Sequence, residues 1–141
     1  MDHLWGLTVR GICTFNEKIL LLKISSNSGH DAGLWEIPGG KVKKDEFFDE
    51  ALKREYLEET GLEINIESLY NVVENRYIAC KSSQKINSIQ LIMSVSVSSN
   101  DVKISSEHSD YGWFSKKEID DMINDELLTI PAINAFKKHL L

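Results

Sequence analysis

The residues that most constrain this chain are three glutamates on a predicted helix, Glu55, Glu58 and Glu59, placed where a helix would normally carry apolar side chains. Asp45 to Thr60 reads as that helix, with Asp45 as N-cap and Gly61 as its C-terminal stop. At about 100° per residue with Phe48 at zero, Leu52 falls at about 40°, Tyr56 at about 80° and Ala51 at about 300°. Glu55 and Glu59 fall at about 340° and about 20°, inside that apolar stripe, and Glu58 at about 280° lies at its edge. Spacings of three and four residues bring these like charges together, which is unfavourable and grows worse on desolvation. Arg54 supplies one compensating charge. A divalent cation resolves the conflict directly, because hard cations take carboxylate and carbonyl oxygens. The plainer alternative is a solvated, charged helix end. The helix dipole disfavours acids there.

The 141 residues suit one domain over residues 1–141, with 42% apolar and 27% charged residues as in an ordinary globular protein. A net charge of -6 argues against a nucleic-acid polymer as partner, yet an acidic site holding cations still accepts a small anion. No apolar run reaches the ~18 residues of a membrane span, and the first residues lack the pattern of a signal peptide. The expectation is a cytoplasmic protein with no membrane partner, as a monomer or homodimer. Cys13 and Cys80 lie in apolar, strand-like stretches outside any ligand pattern and read as buried free thiols.

Leu7 to Phe15 and Ile19 to Ile24 read as strands joined by a turn at Asn16-Glu17-Lys18. Ser25 to Gly33 reads as a loop, and Leu34 to Ile37 as a short strand ended by Pro38-Gly39-Gly40. Leu62 to Cys80 and Ile86 to Val97 carry strand material on either side of a polar turn. Tyr111 to Phe114 is a short strand. Ser115 with Glu118 forms a capping-box pattern opening a helix to about Asn124, and Pro131 suits the start of a last helix ending near Leu140. Helices mixed with strands in this way predict an α/β sandwich around a mixed sheet.

Around the acidic helix the order Gly40, five residues, Glu46, seven residues, Arg54-Glu55, two residues, Glu58-Glu59, one residue, Gly61-Leu62 resembles the signature of the Nudix hydrolases. The flanking LWEIPGG and EHSDYGWFSKKEI are similar to the family as well. One position departs: Tyr56 stands where an aliphatic residue is usual, which asks for local repacking. The resemblance implies a Nudix fold, an α/β/α sandwich with a central mixed β-sheet and a catalytic loop–helix–loop. It implies that Glu55, Glu58 and Glu59 hold Mg²⁺, which Mn²⁺ can replace, with the Gly39 carbonyl and Glu107 as further ligands. Arg54 would orient carboxylates, Glu46 would support the unit, and Gly40 would let the loop turn tightly. Glu107 or Glu58 would be the general base.

The implied activity is hydrolysis of a nucleoside diphosphate linked to another group. A MutT-like nucleoside triphosphate pyrophosphohydrolase, giving a nucleoside monophosphate and pyrophosphate, leads over an ADP-ribose or nucleotide-sugar pyrophosphatase. A non-catalytic nucleotide sensor is the remote alternative. Lys23 and Trp35 are the substrate-binding candidates, with a solvated strand end and simple packing as their plainer readings. Trp113 and Phe114 read as core; His108, next to Glu107, could touch substrate, with an exposed loop histidine as its plainer reading. Ile133, with Asn134 one place later, stands where oxidised-guanine enzymes of the MutT type can carry asparagine, so that specificity is not expected.

Overall fold

A computed structural model describes residues 4–79 and 82–137. Strand β1 (Leu4–Phe15) is its axis. It runs parallel to β6 (Lys85–Ser96) along Leu4–Cys13 and antiparallel to the short β4 (Gly39–Lys41) on its other side. Its last two residues turn through Asn16 and Glu17, both left-handed with φ of 50° and 65°, into β2 (Lys18–Ile24). Paired left-handed residues are what a two-residue hairpin loop needs to match strand twist. β2 carries β3 (Trp35–Glu36) and β7 (His108–Phe114), and β5 (Asn65–Ile78) pairs with β6 at the far edge.

Alternation along β1 and β2 decides the layers. Val9, Cys13, Leu20 and Leu22 face one side and pack with Ala51, Leu52 and Tyr56 of helix α1 (Phe48–Thr60). Ile12 and Leu21 face the other side, where α2 (Lys116–Asn124) and α3 (Ile130–Lys137) supply Ile119, Met122, Ala132 and Ala135. The expected α/β/α sandwich around a mixed sheet is the observed architecture. Cys13 is buried, and burial pushes its thiol up to about 11; Cys80 and the expected helix end near Leu140 lie outside the described residues. Among the described residues no helix is long and apolar enough to cross a membrane.

Several boundaries differ from expectation. α1 begins at Phe48, not Asp45: Asp45 is left-handed at φ 68°, and Phe47 holds the N-cap position with its amide donating to the Glu50 carboxylate at 3.0 Å. The intervening turn is closed by Glu46, whose amide donates to the Lys43 carbonyl and whose carboxylate accepts from the Lys43 amide. Phe48, now the first helical residue, is accordingly 39% exposed although its angle falls within the stripe, and the buried stripe runs through Ala51, Leu52, Tyr56, Glu59 and Thr60. Gly39 and Gly40 do not merely end a strand. They form one, opposite Arg10 and Val9. β7 starts three residues earlier than Tyr111 because residues from His108 onward pair with β2. Gly61 ends α1 in the left-handed conformation as expected, with its amide donating to the Leu57 carbonyl. Ser115 and Glu118 make the expected reciprocal cap of α2.

Tyr56 is fully buried, and its hydroxyl donates to the Gly11 carbonyl at 2.6 Å. A Cβ on Gly11 would lie 2.8 Å from the Tyr56 ring, so the glycine on β1 makes room for the larger side chain. The repacking that Tyr56 asked for is therefore this pairing, with the phenol's polar end satisfied.

Candidate active site

The loop leaving β3 and the helix α1 meet at Gly39-Gly40. Gly39 has φ 155°, and a Cβ there would sit 2.1 Å from the Val9 carbonyl oxygen. Only glycine lets this strand lie so close to β1. The Gly39 amide donates to Glu59 Oε1 at 3.0 Å, tying the strand to the last turn of α1. Gly40 faces Glu55, and a Cβ there would lie 2.3 Å from the Glu55 carboxyl carbon. The space a side chain would fill is occupied by a carboxylate.

Arg54 organises the neighbouring acids. It grips Glu46 through Nε and Nη2 at 2.7 and 3.1 Å, a bidentate charge-assisted pair, and donates through Nη1 to Glu55 Oε1 at 2.9 Å. Nη2 also donates to the Lys41 carbonyl at 3.2 Å, and Glu58 accepts only at 3.4–3.5 Å. The guanidinium beside Glu46 holds its carboxyl down to about 2.

Glu59 is 5% exposed. Burial pushes its carboxyl well above the usual range, repulsion from Glu36 adds to this, and the Gly39 amide offsets part of it. Glu55 is also raised, first by burial, with Arg54 opposing and Glu58 and Glu107 adding. The helix therefore does turn Glu55 and Glu59 inward, while Glu58 stays largely exposed on its rim. Two desolvated carboxylates beside a glycine cradle, Glu55 held by Arg54 and Glu59 by the Gly39 amide, form an all-oxygen donor set. That set fits a hard divalent cation, which would keep both acids ionised where burial alone would protonate them.

The chain belongs to the Nudix family. A model of the NUDIX domain matches residues 6–133, across the glycine strand, α1 and the Glu107 loop. The nucleoside triphosphatase NudI of Escherichia coli (strain K12) is 31% identical over 105 residues, which cover 71% of this chain and 74% of the relative. The MutT protein of Methanosarcina mazei Go1 is 29% identical, with a TM-score of 0.76 over 96% of this chain and 92% of that one. A MutT Nudix hydrolase of Burkholderia pseudomallei has the same fold, with 23% identity and a TM-score of 0.72 over 94% of this chain and 96% of that one. This Nudix protein is thus a MutT-like hydrolase.

The remaining predicted residues are placed unevenly. Glu107 is exposed in the loop before β7, and its carbonyl accepts from the Ser25 amide at 3.1 Å. It lines a cavity of about 900 Å³ together with Glu36, Lys41 and His108; the cavity reaches the acids of α1 through Glu36, whose carboxylate lies within 4.8 Å of that of Glu59. Trp35 packs edge-on against Phe114, with ring centroids 5.2 Å apart, and belongs to the core under α2 and α3. Lys23 pairs through its backbone with Trp35 and Asp110 and is not among the residues lining the cavity. Trp113 and Phe114 pack against the two cores as expected.

His108 is not an exposed loop histidine. It is 5% exposed, and its Nε2 lies 2.8 Å from Glu36 Oε2. Glu36 also accepts from Arg10 Nη1 at 3.2 Å, and Arg10 donates further to Gln90 Oε1 and to the Ile37 carbonyl, each at 2.8 Å. Burial would raise Glu36, but the Arg10 charge and the His108 hydrogen bond hold it below the usual range. An ionised carboxylate only accepts, so Nε2 carries the proton; Nδ1 is buried without a hydrogen-bond partner among the described residues. Ligand atoms of Glu36, Glu59 and His108 lie within 4.8 Å of one another. Sequence reading passed over this network, although Arg10 between Val9 and Gly11, and Glu36 between Trp35 and Ile37, are charges within strands that packing would otherwise make apolar.

Proposed function

We propose that this Nudix hydrolase cleaves a nucleoside triphosphate to a nucleoside monophosphate and pyrophosphate, using Mg²⁺ held by Glu55 and Glu59, with Glu58 and the Gly39 carbonyl as further ligands. The observation that carries this reading is the inward pair Glu55 and Glu59 against the glycine strand. The large cavity lined by Glu36, Lys41 and Glu107 supports it, as does similarity over 71% of this chain to a relative named as a nucleoside triphosphatase. Mn²⁺ is expected to replace Mg²⁺, because the donors are all oxygens.

A divalent cation supplies charge neutralisation at the phosphate oxygens. The chain supplies the rest. Arg54 fixes the Glu55 carboxylate through Nη1 while its other nitrogens are anchored on Glu46, so little reorganisation is needed at the moment of reaction. The Lys41 ammonium faces the cavity as a cation for the polyphosphate. Glu107, exposed and lining the cavity, takes a proton from the attacking water. Glu58 points along the exposed rim of α1, which favours Glu107 as base. Helix α3 brings Ile130 and Pro131 to the cavity, while Asn134 borders an adjoining hollow that shares Asn75, Arg76 and Ile130 with it. The one-place shift from Ile133 to Asn134 is what argues against an enzyme that selects oxidised guanine. We place it in the cytoplasm, where such nucleotides are found.

A hydrolysis panel with Mg²⁺ tests the reading: the common nucleoside triphosphates, oxidised nucleotides, ADP-ribose and dinucleoside polyphosphates. Triphosphates are expected to be cleaved fastest, with pyrophosphate as product and no turnover in chelator. Preferential cleavage of ADP-ribose, or release of orthophosphate, would contradict it.

A further inference from the structure

One wall of the cavity is built by β5. Along that strand Asn75 and Tyr77 are partly buried and share one face, while Glu74, Arg76 and Ile78 are exposed. Tyr77 has its ring edge-on to His30, with centroids 5.7 Å apart at 74°. Lys41 Nζ stands over the same ring at 5.8 Å. All four residues line the cavity. Lys41 follows Gly40 directly, and its carbonyl is held by Arg54. One lysine side chain therefore spans the interval between the catalytic strand and the Tyr77 ring. A nucleoside phosphate has the same plan: an anion at one end, a flat π-surface at the other, and a sugar's length between them.

We infer that Tyr77 is the base-stacking platform of this enzyme, with Asn75 beside it to meet the base edge and Lys41 leaving the ring for the phosphates when a nucleotide enters. This rests on the proposed nucleotide substrate and deepens it. An aromatic face attracts any base, and an asparagine offers both donor and acceptor. The site is therefore built to take a nucleobase in preference to a second sugar or a bare polyphosphate. The cation now over the ring marks that face as open to the cavity and electron-rich.

The test compares binding of a nucleoside monophosphate with that of ribose 5-phosphate, in Mg²⁺, by calorimetry. The wild-type protein is expected to prefer the nucleotide. Tyr77→Ala should shrink that preference by roughly 5- to 150-fold, the range seen when a base loses an aromatic platform. Tyr77→Phe should keep it, since the ring remains. The ratio of kcat/KM for a nucleoside triphosphate over ribose 5-triphosphate should fall in parallel. An unchanged preference in Tyr77→Ala, or an equal loss for both ligands, would overturn the assignment. Should the wild-type protein hydrolyse no triphosphate, the substrate proposal fails on its own, and the binding ratio still decides the role of Tyr77.

Discussion

Glu59→Gln is expected to lower kcat roughly 10³-fold, the loss of about 4 kcal/mol of transition-state stabilisation that follows when a metal ligand is removed. The metal-free protein should melt at the same temperature as wild type or higher. Glu59 is buried, its carboxyl is raised by burial and by Glu36, and among the described residues its hydrogen bond comes from the Gly39 amide. Glutamine keeps an oxygen for that amide and removes the cost of burying or neutralising a carboxylate at that position. Addition of Mg²⁺ should raise the melting temperature of wild type through binding to the folded state, and should do so much less in the variant. A residue kept for structure would show the opposite pattern, with stability lost and catalysis falling only as the fold does. Steady-state kinetics and thermal unfolding with and without Mg²⁺ separate the two.

Gly40→Ala should behave similarly by another route. Its Cβ would lie 2.3 Å from the Glu55 carboxyl carbon and 2.5 and 2.6 Å from its oxygens. These atoms end a flexible side chain, so Glu55 can swing away and the fold survives. The carboxylate then leaves its position beside Arg54, and a displacement of about 1 Å at a reacting centre can cost roughly 10²-fold in rate. Gly39→Ala is the contrasting case. There the Cβ would meet the Val9 carbonyl at 2.1 Å, and backbone cannot swing away. Overpacking of that kind costs about 1–3 kcal/mol or more. Adjacent glycines should thus divide cleanly, Gly40→Ala losing activity at near-normal melting temperature and Gly39→Ala losing stability first.

Much of this arrangement was legible in the residues. The inward acids of α1 followed from angle alone, because helical periodicity places Glu55 and Glu59 beside Leu52 whatever the tertiary context. The reciprocal cap at Ser115 and Glu118 and the left-handed stop at Gly61 are local chemistry, and local chemistry survives folding. The sequence alone places the start of α1 at Asp45, because Asp45 is as good a cap as any. What decides the boundary is Glu46, held by Arg54 eight residues on and unavailable to a regular turn. The burial of His108 is hidden in the sequence for a related reason. Its neighbours Glu107 and Ser109 are polar and exposed, and nothing in that local run announces a partner 72 residues away at Glu36. A buried ion network joins distant strands, so its members become visible only once β2 has brought β3 and β7 together. Tyr77 belongs to the same class: its face of β5 was readable, but the cavity it borders is assembled from elements far apart in the chain.

The central claim is that Glu55 and Glu59 are held inward, against the glycine strand, to share a divalent cation. Anomalous diffraction from crystals soaked in Mn²⁺ tests it most directly. The account predicts an anomalous peak coordinated by carboxylate oxygens of Glu55 and Glu59, and its loss in Glu59→Gln. A well-ordered site with no peak there, or Mn²⁺ bound only at exposed acids elsewhere, would contradict it.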